Sequence, residues 1–187
     1  FEPAESYFIV FRHSGEPGEE SKSNFAEYEV VKTLEGCWSI DFAGPGGDFS
    51  VEIAELQSFD KFKALGIRNF VGEAIYEKSF EYEMSTDEVW LDLGDVANLA
   101  RVKVNGHEAG TVWKPPYRVE VGEYLLDGLN EVEVRVWNTW HNRLAADAEL
   151  AMEKRVGNAP LYPLGRLRGS ERVEGGLLGP VQLLISR

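Results

Sequence analysis

The chain has 187 residues, of which 43% are hydrophobic and 12% aromatic, so it can bury a substantial core and is not wholly disordered. Its formal net charge of −13 repels phosphate backbones and anionic lipid surfaces. No apolar run approaches the ~20 residues that cross a bilayer. We therefore expect neither a nucleic-acid partner nor a membrane partner. Cys37 is the only cysteine, which excludes an internal disulfide and a zinc site of four cysteines.

The N-terminal residues differ in pattern from the rest of the chain. Ser6–Phe11 is a short β-prone run, and residues 12–24 form a loop rich in glycine, proline, serine and glutamate. The chain begins at Phe1, with no basic and apolar signal segment. We interpret residues 1–24 as the end of a preceding module and residues 25–187 as one β-domain. We expect the chain to be a fragment of a longer protein.

Short runs of alternating polar and apolar residues, separated by turn residues, predict most of the strands. One helical turn is predicted within Ser58–Leu65, and the glycines and proline of 44–47 predict a turn between two strands. The predicted strands outside the central hairpins are Phe25–Lys32, Cys37–Ala43, Phe49–Ala54, Phe70–Tyr82, Val89–Leu93 and Val181–Ile185.

The central part of the chain has the clearest alternation. In Arg101–Val104 two valines alternate with two basic residues, so the valines are predicted to face a core. Asn105-Gly106 supplies the two positive-φ residues of a type I′ turn, and we expect no further role for this pair. The return strand is predicted to be His107–Trp113.

A stiff aromatic loop follows this hairpin. Pro115 and Pro116 remove two backbone donors and fix φ, so strand pairing must stop there. A second alternating run, Glu131–Val136, then ends in Trp137–Arg143, where aromatic, amide and cationic groups are concentrated. The β pattern does not itself require either of these aromatic segments.

The C-terminal third is predicted to hold one short helix and a long loop. Leu144, Ala148 and Met152 lie at helical spacing within Arg143–Arg155, and the glycine- and proline-rich segment Val156–Pro180 is predicted to be loop. Eight to ten short strands with little helix indicate an all-β antiparallel β-sandwich, with a jelly roll as the best single prediction. The tryptophans predicted to lie in its core are Trp38, Trp90 and Trp137.

The aromatic loop and the segment after the second run carry the side-chain chemistry that sugars require. Sugars present apolar C–H faces ringed by hydroxyls, so a site needs flat aromatic rings beside amide or charged groups. The candidate substrate-binding residues are Trp113, Lys114, Tyr117, Trp140, His141, Asn142 and Arg143.

For any one of these residues, the sequence favours a purely structural role over ligand binding. The two tryptophans of the candidate set would then plug one end of the sandwich, since sandwich ends need closing. The polar residues would bond loop carbonyls instead of a ligand, and the residues concerned are Asn138, Asn142 and Arg143.

No motif of the chain singles out a catalytic centre. The 32 acidic residues offer many carboxylate pairs without selecting one. His13, His107 and His141 lack the spacing of zinc ligands, and there is no GxSxG elbow or phosphate loop. We predict no catalytic residues and no cofactor, and the sequence leaves open a structural calcium ion without selecting its ligands.

Two sets of motifs carry a resemblance to known proteins. The first set has the residues Leu91–Gly94, Val104–Gly106, Gly110, Trp113, Pro116, Gly128, Asn130 and Asn138. This set resembles the galactose-binding-like sandwich of the family 2 type in glycoside hydrolases. The second set is ESYFIVFR, GCWSIDF, GIRNFVGEAIYEKSF, WKPPYRV, NTWHNRLAADAEL and GGLLGPVQL. It resembles the C-terminal region of large bacterial α-L-rhamnosidase-like proteins of glycoside hydrolase family 106.

The resemblance implies a non-catalytic accessory domain of a polysaccharide-degrading glycoside hydrolase. In such enzymes the catalytic carboxylates lie in a separate barrel earlier in the chain, so the implied partners are carbohydrate and an upstream catalytic module. The resemblance also implies a secreted or periplasmic protein. The alternative is a free-standing carbohydrate-binding or structural interaction module without a catalytic partner.

Overall fold

A computed structural model describes residues 27–83, 88–157 and 164–186. The predicted strand Ser6–Phe11 and the loop 12–24 lie outside the described residues, as does the segment 158–163 of the predicted C-terminal loop. The described strands are β1 (Tyr28–Thr33), β2 (Trp38–Ala43), β3 (Phe49–Ile53), β4 (Glu73–Tyr82), β5 (Val89–Asp92), β6 (Asp95–Ala97), β7 (Leu99–Val104), β8 (His107–Val112), β9 (Arg118–Glu120), β10 (Gly128–Trp137), β11 (Gly176–Gly179) and β12 (Gln182–Ser186).

The strands form two main antiparallel sheets that enclose one core. A six-stranded sheet has the order β3-β2-β4-β10-β7-β8, and a four-stranded sheet has the order β1-β12-β5-β9. Strands β11 and β6 form a further antiparallel pair. The predicted all-β antiparallel β-sandwich is therefore confirmed. The helices are α1 (Leu65–Arg68) and α2 (His141–Asp147), with 3-10 turns at Phe59–Lys61, Gly122–Tyr124, Met152–Lys154 and Leu164–Leu167.

Alternation along β10 fixes the face that each side chain occupies. Val132, Val134 and Val136 are buried, and the intervening charged residues lie on the outer face. Burial of each valine contributes about 1.5 kcal/mol or more to stability. Because β10 pairs with β4 over its full length, a slip of one residue would turn Glu133 and Arg135 into the core.

The three tryptophans predicted to be core residues have different environments. Trp38 is fully buried, as predicted. For Trp90 and Trp137 the prediction was wrong. Both occupy the positions of their alternating strands that face away from the core, and both are only partly buried. The ring of Trp137 instead lies beneath the Arg101 guanidinium at 5.6 Å, and Trp90 packs edge-on against Tyr28 at 5.8 Å.

The predicted turn between β7 and β8 is confirmed, with φ of 50° at Asn105 and 80° at Gly106. The expectation of no further role for this pair was wrong. The Asn105 amide donates to the Tyr124 carbonyl at 2.8 Å and to Asn130 Oδ1 at 2.7 Å, and its oxygen accepts from the Glu131 amide at 2.9 Å. The asparagine therefore ties the hairpin to β10.

Two predictions for the C-terminal third are corrected. The helix predicted over Arg143–Arg155 begins at His141 and ends at Asp147, and Met152 is 75% exposed. The segment predicted to be loop contains β11, because Gly176 (φ 99°) lets the chain approach the core closely. A Cβ atom at Gly176 would lie 2.6 Å from both Phe59 Cε1 and the Tyr76 hydroxyl oxygen, so the glycine is required for packing as well as for its backbone conformation.

Candidate functional site

The two candidate segments emerge from the same end of the six-stranded sheet. Val112 at the end of β8 pairs with Ala100 near the start of β7, and Trp137 at the end of β10 pairs with Leu99. Strand β7 lies between the two, so the segments begin two strand spacings, or about 10 Å, apart. The topology therefore brings the Trp113 loop and the start of α2 to one end of the sandwich.

The loop 113–117 crosses from the six-stranded sheet to the four-stranded sheet, and it is anchored on its C-terminal side. The Tyr117 carbonyl accepts from the Leu93 amide at 2.9 Å, and the Tyr117 ring packs against the core. Arg118 donates to Asp92 at 2.6 Å. Trp113, at the other end of the loop, has 68% of its surface exposed.

Lys114 and the two prolines of the loop lie between the exposed Trp113 indole and the partly buried Tyr117. Lys114 is exposed, whereas Pro115 and Pro116 are partly buried. Because the prolines fix φ at two consecutive positions, the loop loses little further conformational entropy when a ligand binds Trp113.

Trp140 is the exposed aromatic residue of the second segment. It has 45% of its surface exposed and directly precedes α2. Gly157 lies beneath its indole, since a Cβ atom at Gly157 would be 3.3 Å from Trp140 Cζ3. A side chain at residue 157 would therefore push the ring away from its present position.

The Asn142 side chain is buried and hydrogen-bonded within the protein. Its amide nitrogen donates to the Val173 carbonyl at 2.8 Å, and its oxygen accepts from the Val173 amide at 2.9 Å. It is fully enclosed by the protein, so both halves of its amide are used to fix the loop that packs on α2.

Arg143 is also paired internally. Its guanidinium donates to Asp147 Oδ1 at 2.7 Å, and the Asp147 carboxylate accepts from the Val156 and Gly157 amides at 3.2 and 2.7 Å. Since Asp147 is fully buried, these donors offset the cost of desolvating its charge. Asp147 was not among the candidate residues, although an aspartate among the alanines of an apolar helical stretch was a signal for it.

The remaining polar residues of this end also bond backbone groups. Asn138 donates to the Phe70 carbonyl at 2.8 Å, and His141 Nε2 lies 3.1 Å from the Glu171 carbonyl. The predicted structural role, hydrogen bonding to backbone carbonyls of loops, is thus observed for Asn138 and Asn142. The tryptophans themselves are exposed and do not plug the sandwich.

The outer face of the six-stranded sheet carries a separate network of ion pairs, in which basic and acidic side chains neutralise one another. A groove of about 480 Å³ crosses this face. Arg135 donates to Glu133 at 2.7 Å and lies 3.3 Å from Glu73, and Lys103 lies 3.4 Å from Glu133. The Arg135 hydrogen bond, followed by the charges of Arg135 and Lys103, lowers the pKa of Glu133 despite its partial burial. These pairs are typical of the surface of a sheet and not of an acid–base centre.

Across 27–83, 88–157 and 164–186, no three His, Cys, Asp or Glu side chains are grouped so that they could hold a metal ion. None of the helices within those ranges is long and apolar enough to cross a membrane.

Comparison with known proteins places the chain in a family of glycoside hydrolase domains. Residues 60–168, which include both exposed tryptophans, match the family described as glycosyl hydrolase 2 galactose-binding domain-like. The chain belongs to this family. The domain is also 33% identical over 176 residues to a putative beta-glucuronidase of Formosa agariphila, an alignment that covers 80% of this chain and 15% of that protein.

Solved structures agree with this assignment. A rhamnosidase from Novosphingobium sp. PP1Y superposes with a TM-score of 0.77 at 34% identity, covering 88% of the domain and 16% of that chain. The apo β-glucuronidase of Ruminococcus gnavus has a TM-score of 0.58 at 16% identity, with 89% of the domain and 30% of that chain covered, and shows likeness of fold alone. The domain thus spans about a sixth of the length of the two more similar proteins.

Proposed function

We propose that this domain is a non-catalytic accessory module of a larger glycoside hydrolase and that it binds carbohydrate at the end of the sandwich that carries Trp113. Its family and its small share of the relatives' length support an accessory role. Catalysis is then assigned to another module of the same polypeptide, and the protein to a secreted or periplasmic location.

The observation that carries the binding proposal is the exposure of Trp113 on a stiffened loop. An indole left in water forgoes the stabilisation that burial would provide, and tryptophan is enriched among the residues that carry most of the binding energy of interfaces. A flat indole matches the C–H face of a pyranose ring. Lys114 and the exposed face of Trp140 lie at the same end of the sandwich and can contribute further contacts.

Asn142 and Arg143 are assigned a supporting role in this proposal. Their internal hydrogen bonds hold α2 and the neighbouring loop, so they position Trp140 and need not touch the sugar. Tyr117 anchors the Trp113 loop in the same way. His141 is partly exposed and lies at the margin of the surface.

A second candidate function is packing of the same surface on the catalytic module. The observation that favours it is that this domain covers only 15% of the length of the putative beta-glucuronidase, which leaves most of such a protein to other modules. A free-standing module without a catalytic partner is less compatible with those lengths.

Binding can be measured by calorimetry with a panel of oligosaccharides that contain rhamnose or glucuronic acid. We expect Trp113→Ala to weaken binding by about 1 to 4 kcal/mol. The matched control is Leu129→Ala, which truncates an exposed apolar residue at the opposite end of β10. Equal loss in both variants, or no binding by the unmodified chain, would contradict the carbohydrate proposal.

The non-catalytic role has its own test. The purified chain should not hydrolyse aryl glycosides, including the α-L-rhamnoside and the β-D-glucuronide, above a control without protein. Turnover that disappears on substitution of one acidic residue of this chain would overturn the accessory role.

A further inference from the structure

A second concave site lies between α1 and the loop that follows the last 3-10 turn. This groove, of about 550 Å³, is lined by residues that include Arg68, Asn69, Ser170 and Arg172. Two arginines of a chain with a net charge of −13 therefore face one groove.

Arg172 is held in place by neutral groups. Its Nε donates to Asn69 Oδ1 at 3.0 Å, and its Nη1 donates to the Ser170 carbonyl at 3.3 Å. Among the described residues, neither Arg172 nor Arg68 has a carboxylate within ion-pair distance. The orientation of Arg172 is thus fixed, while its charge is not neutralised by a direct partner.

The surroundings of Arg172 are cationic. Partial burial, together with the positive charges of Arg68 and Arg143, lowers the pKa of the Arg172 guanidinium, and the weaker effect of the Glu149 carboxylate opposes this shift. The Nε of Arg143 is also a buried donor that lacks an acceptor in the described part of the chain. Guanidinium groups crowded in this way are stabilised by an anion, which a planar carboxylate can supply through paired hydrogen bonds.

The acidic residues that line the groove do not supply this anion. Asp60 accepts from the Ser58 hydroxyl and lies 3.5 Å from Lys61 Nζ. Glu171 is exposed, and its backbone carbonyl lies 3.1 Å from His141 Nε2. That contact joins the rim of the groove to α2, directly beside Trp140.

We propose that this groove binds the carboxylate of an acidic sugar residue, with Arg172 and Arg68 as the donors. The inference rests on the proposed carbohydrate-binding function, because a sugar chain that contacts the Trp140 side of the sandwich would extend toward the His141–Glu171 contact and the groove. The domain would then prefer acidic saccharides despite its own negative charge, and added salt would weaken that preference.

The test uses matched saccharide pairs and the 187-residue chain. Tetramers of glucuronate, galacturonate and mannuronate are compared by calorimetry with their carboxyl-reduced counterparts. We expect at least one acidic tetramer to bind about tenfold more tightly than its neutral counterpart. Arg68→Gln and Arg172→Gln should each remove most of this difference and leave the neutral affinity unchanged. Arg166→Gln removes a nearby exposed charge outside the groove and should retain the preference.

The two proposals fail in distinguishable ways. Equal affinity for the acidic and neutral tetramers would overturn the carboxylate site and leave carbohydrate binding intact. A preference that survives Arg68→Gln, which alters an exposed side chain and should not disturb folding, would place the anion elsewhere and also overturn the assignment. Absence of binding to every tetramer would overturn the carboxylate site, and it would contradict carbohydrate binding as well only if the rhamnose-containing oligosaccharides also fail to bind.

Discussion

The two segments at the Trp113 end of the sandwich each contain an exposed tryptophan and a basic residue, but they use their side chains in opposite ways. The loop 113–117 is anchored at Tyr117 and leaves Trp113 in solvent. The segment 140–147 contains a tryptophan, an amide and a guanidinium, yet Asn142 and Asp147 are fully buried and hydrogen-bonded within the domain. The first segment presents a surface, and the second is a scaffold that supports one.

This difference shows that residue type alone does not identify a binding group. An amide or guanidinium can recognise a ligand only if its donors and acceptors are not already satisfied by the protein. The internal partners of Asn142 lie 31 residues away along the chain, so the distinction depends on tertiary structure.

The scaffold role is tested most strongly at Asp147. Asp147→Ala removes the acceptor of Arg143 and of two backbone amides. Because it leaves a largely buried guanidinium without its partner, we expect a loss of about 3 to 5 kcal/mol in the free energy of unfolding, measured in urea. The control Glu149→Ala, at an exposed residue, should cost less than about 1 kcal/mol. Similar losses of unfolding free energy in the two variants would show that Asp147 is no more important to the scaffold than an exposed residue.

Asn142→Ala should have the next largest effect. It leaves both the Val173 amide and the Val173 carbonyl without their partner, for which we expect a loss of about 2 to 3 kcal/mol in urea unfolding. Loss of glycan binding without loss of stability would mean that the amide serves a ligand and that the scaffold assignment is wrong.

The fold was predictable because its signal is local and repeated. Valines alternate with charged residues in β7 and β10, and Asn105-Gly106 specifies the turn of the hairpin. The errors arose where long-range contacts override local pattern. The glycine-rich sequence around Gly176 predicts a loop, but the absence of a side chain at Gly176 is what allows β11 to pack against Tyr76.

The candidate site was predictable only in part. The prolines beside Trp113 correctly indicated that pairing stops, and β8 ends at Val112. Helical spacing extended the predicted helix through Met152, whereas the chain after Asp147 turns back so that the Val156 and Gly157 amides reach its carboxylate. Sequence spacing carries no information about such a return.

Trp140 should show an intermediate effect. It is half exposed and packs over Gly157, so Trp140→Ala is expected to cost about 1 to 2 kcal/mol of stability in urea unfolding. It should also weaken glycan binding, though less than Trp113→Ala does. A cost above about 3 kcal/mol would show that Trp140 is a core residue and no part of the surface.

Trp113 is a surface residue available for contact and not a plug of the core. The most direct measurement is the free energy of unfolding of Trp113→Ala in urea, compared with that of the unmodified chain. Since 68% of the side chain is exposed, we expect a change below about 1 kcal/mol with the unfolding cooperativity unchanged. A loss of about 3 to 5 kcal/mol, the cost of emptying a tryptophan-sized space in a core, would contradict the claim.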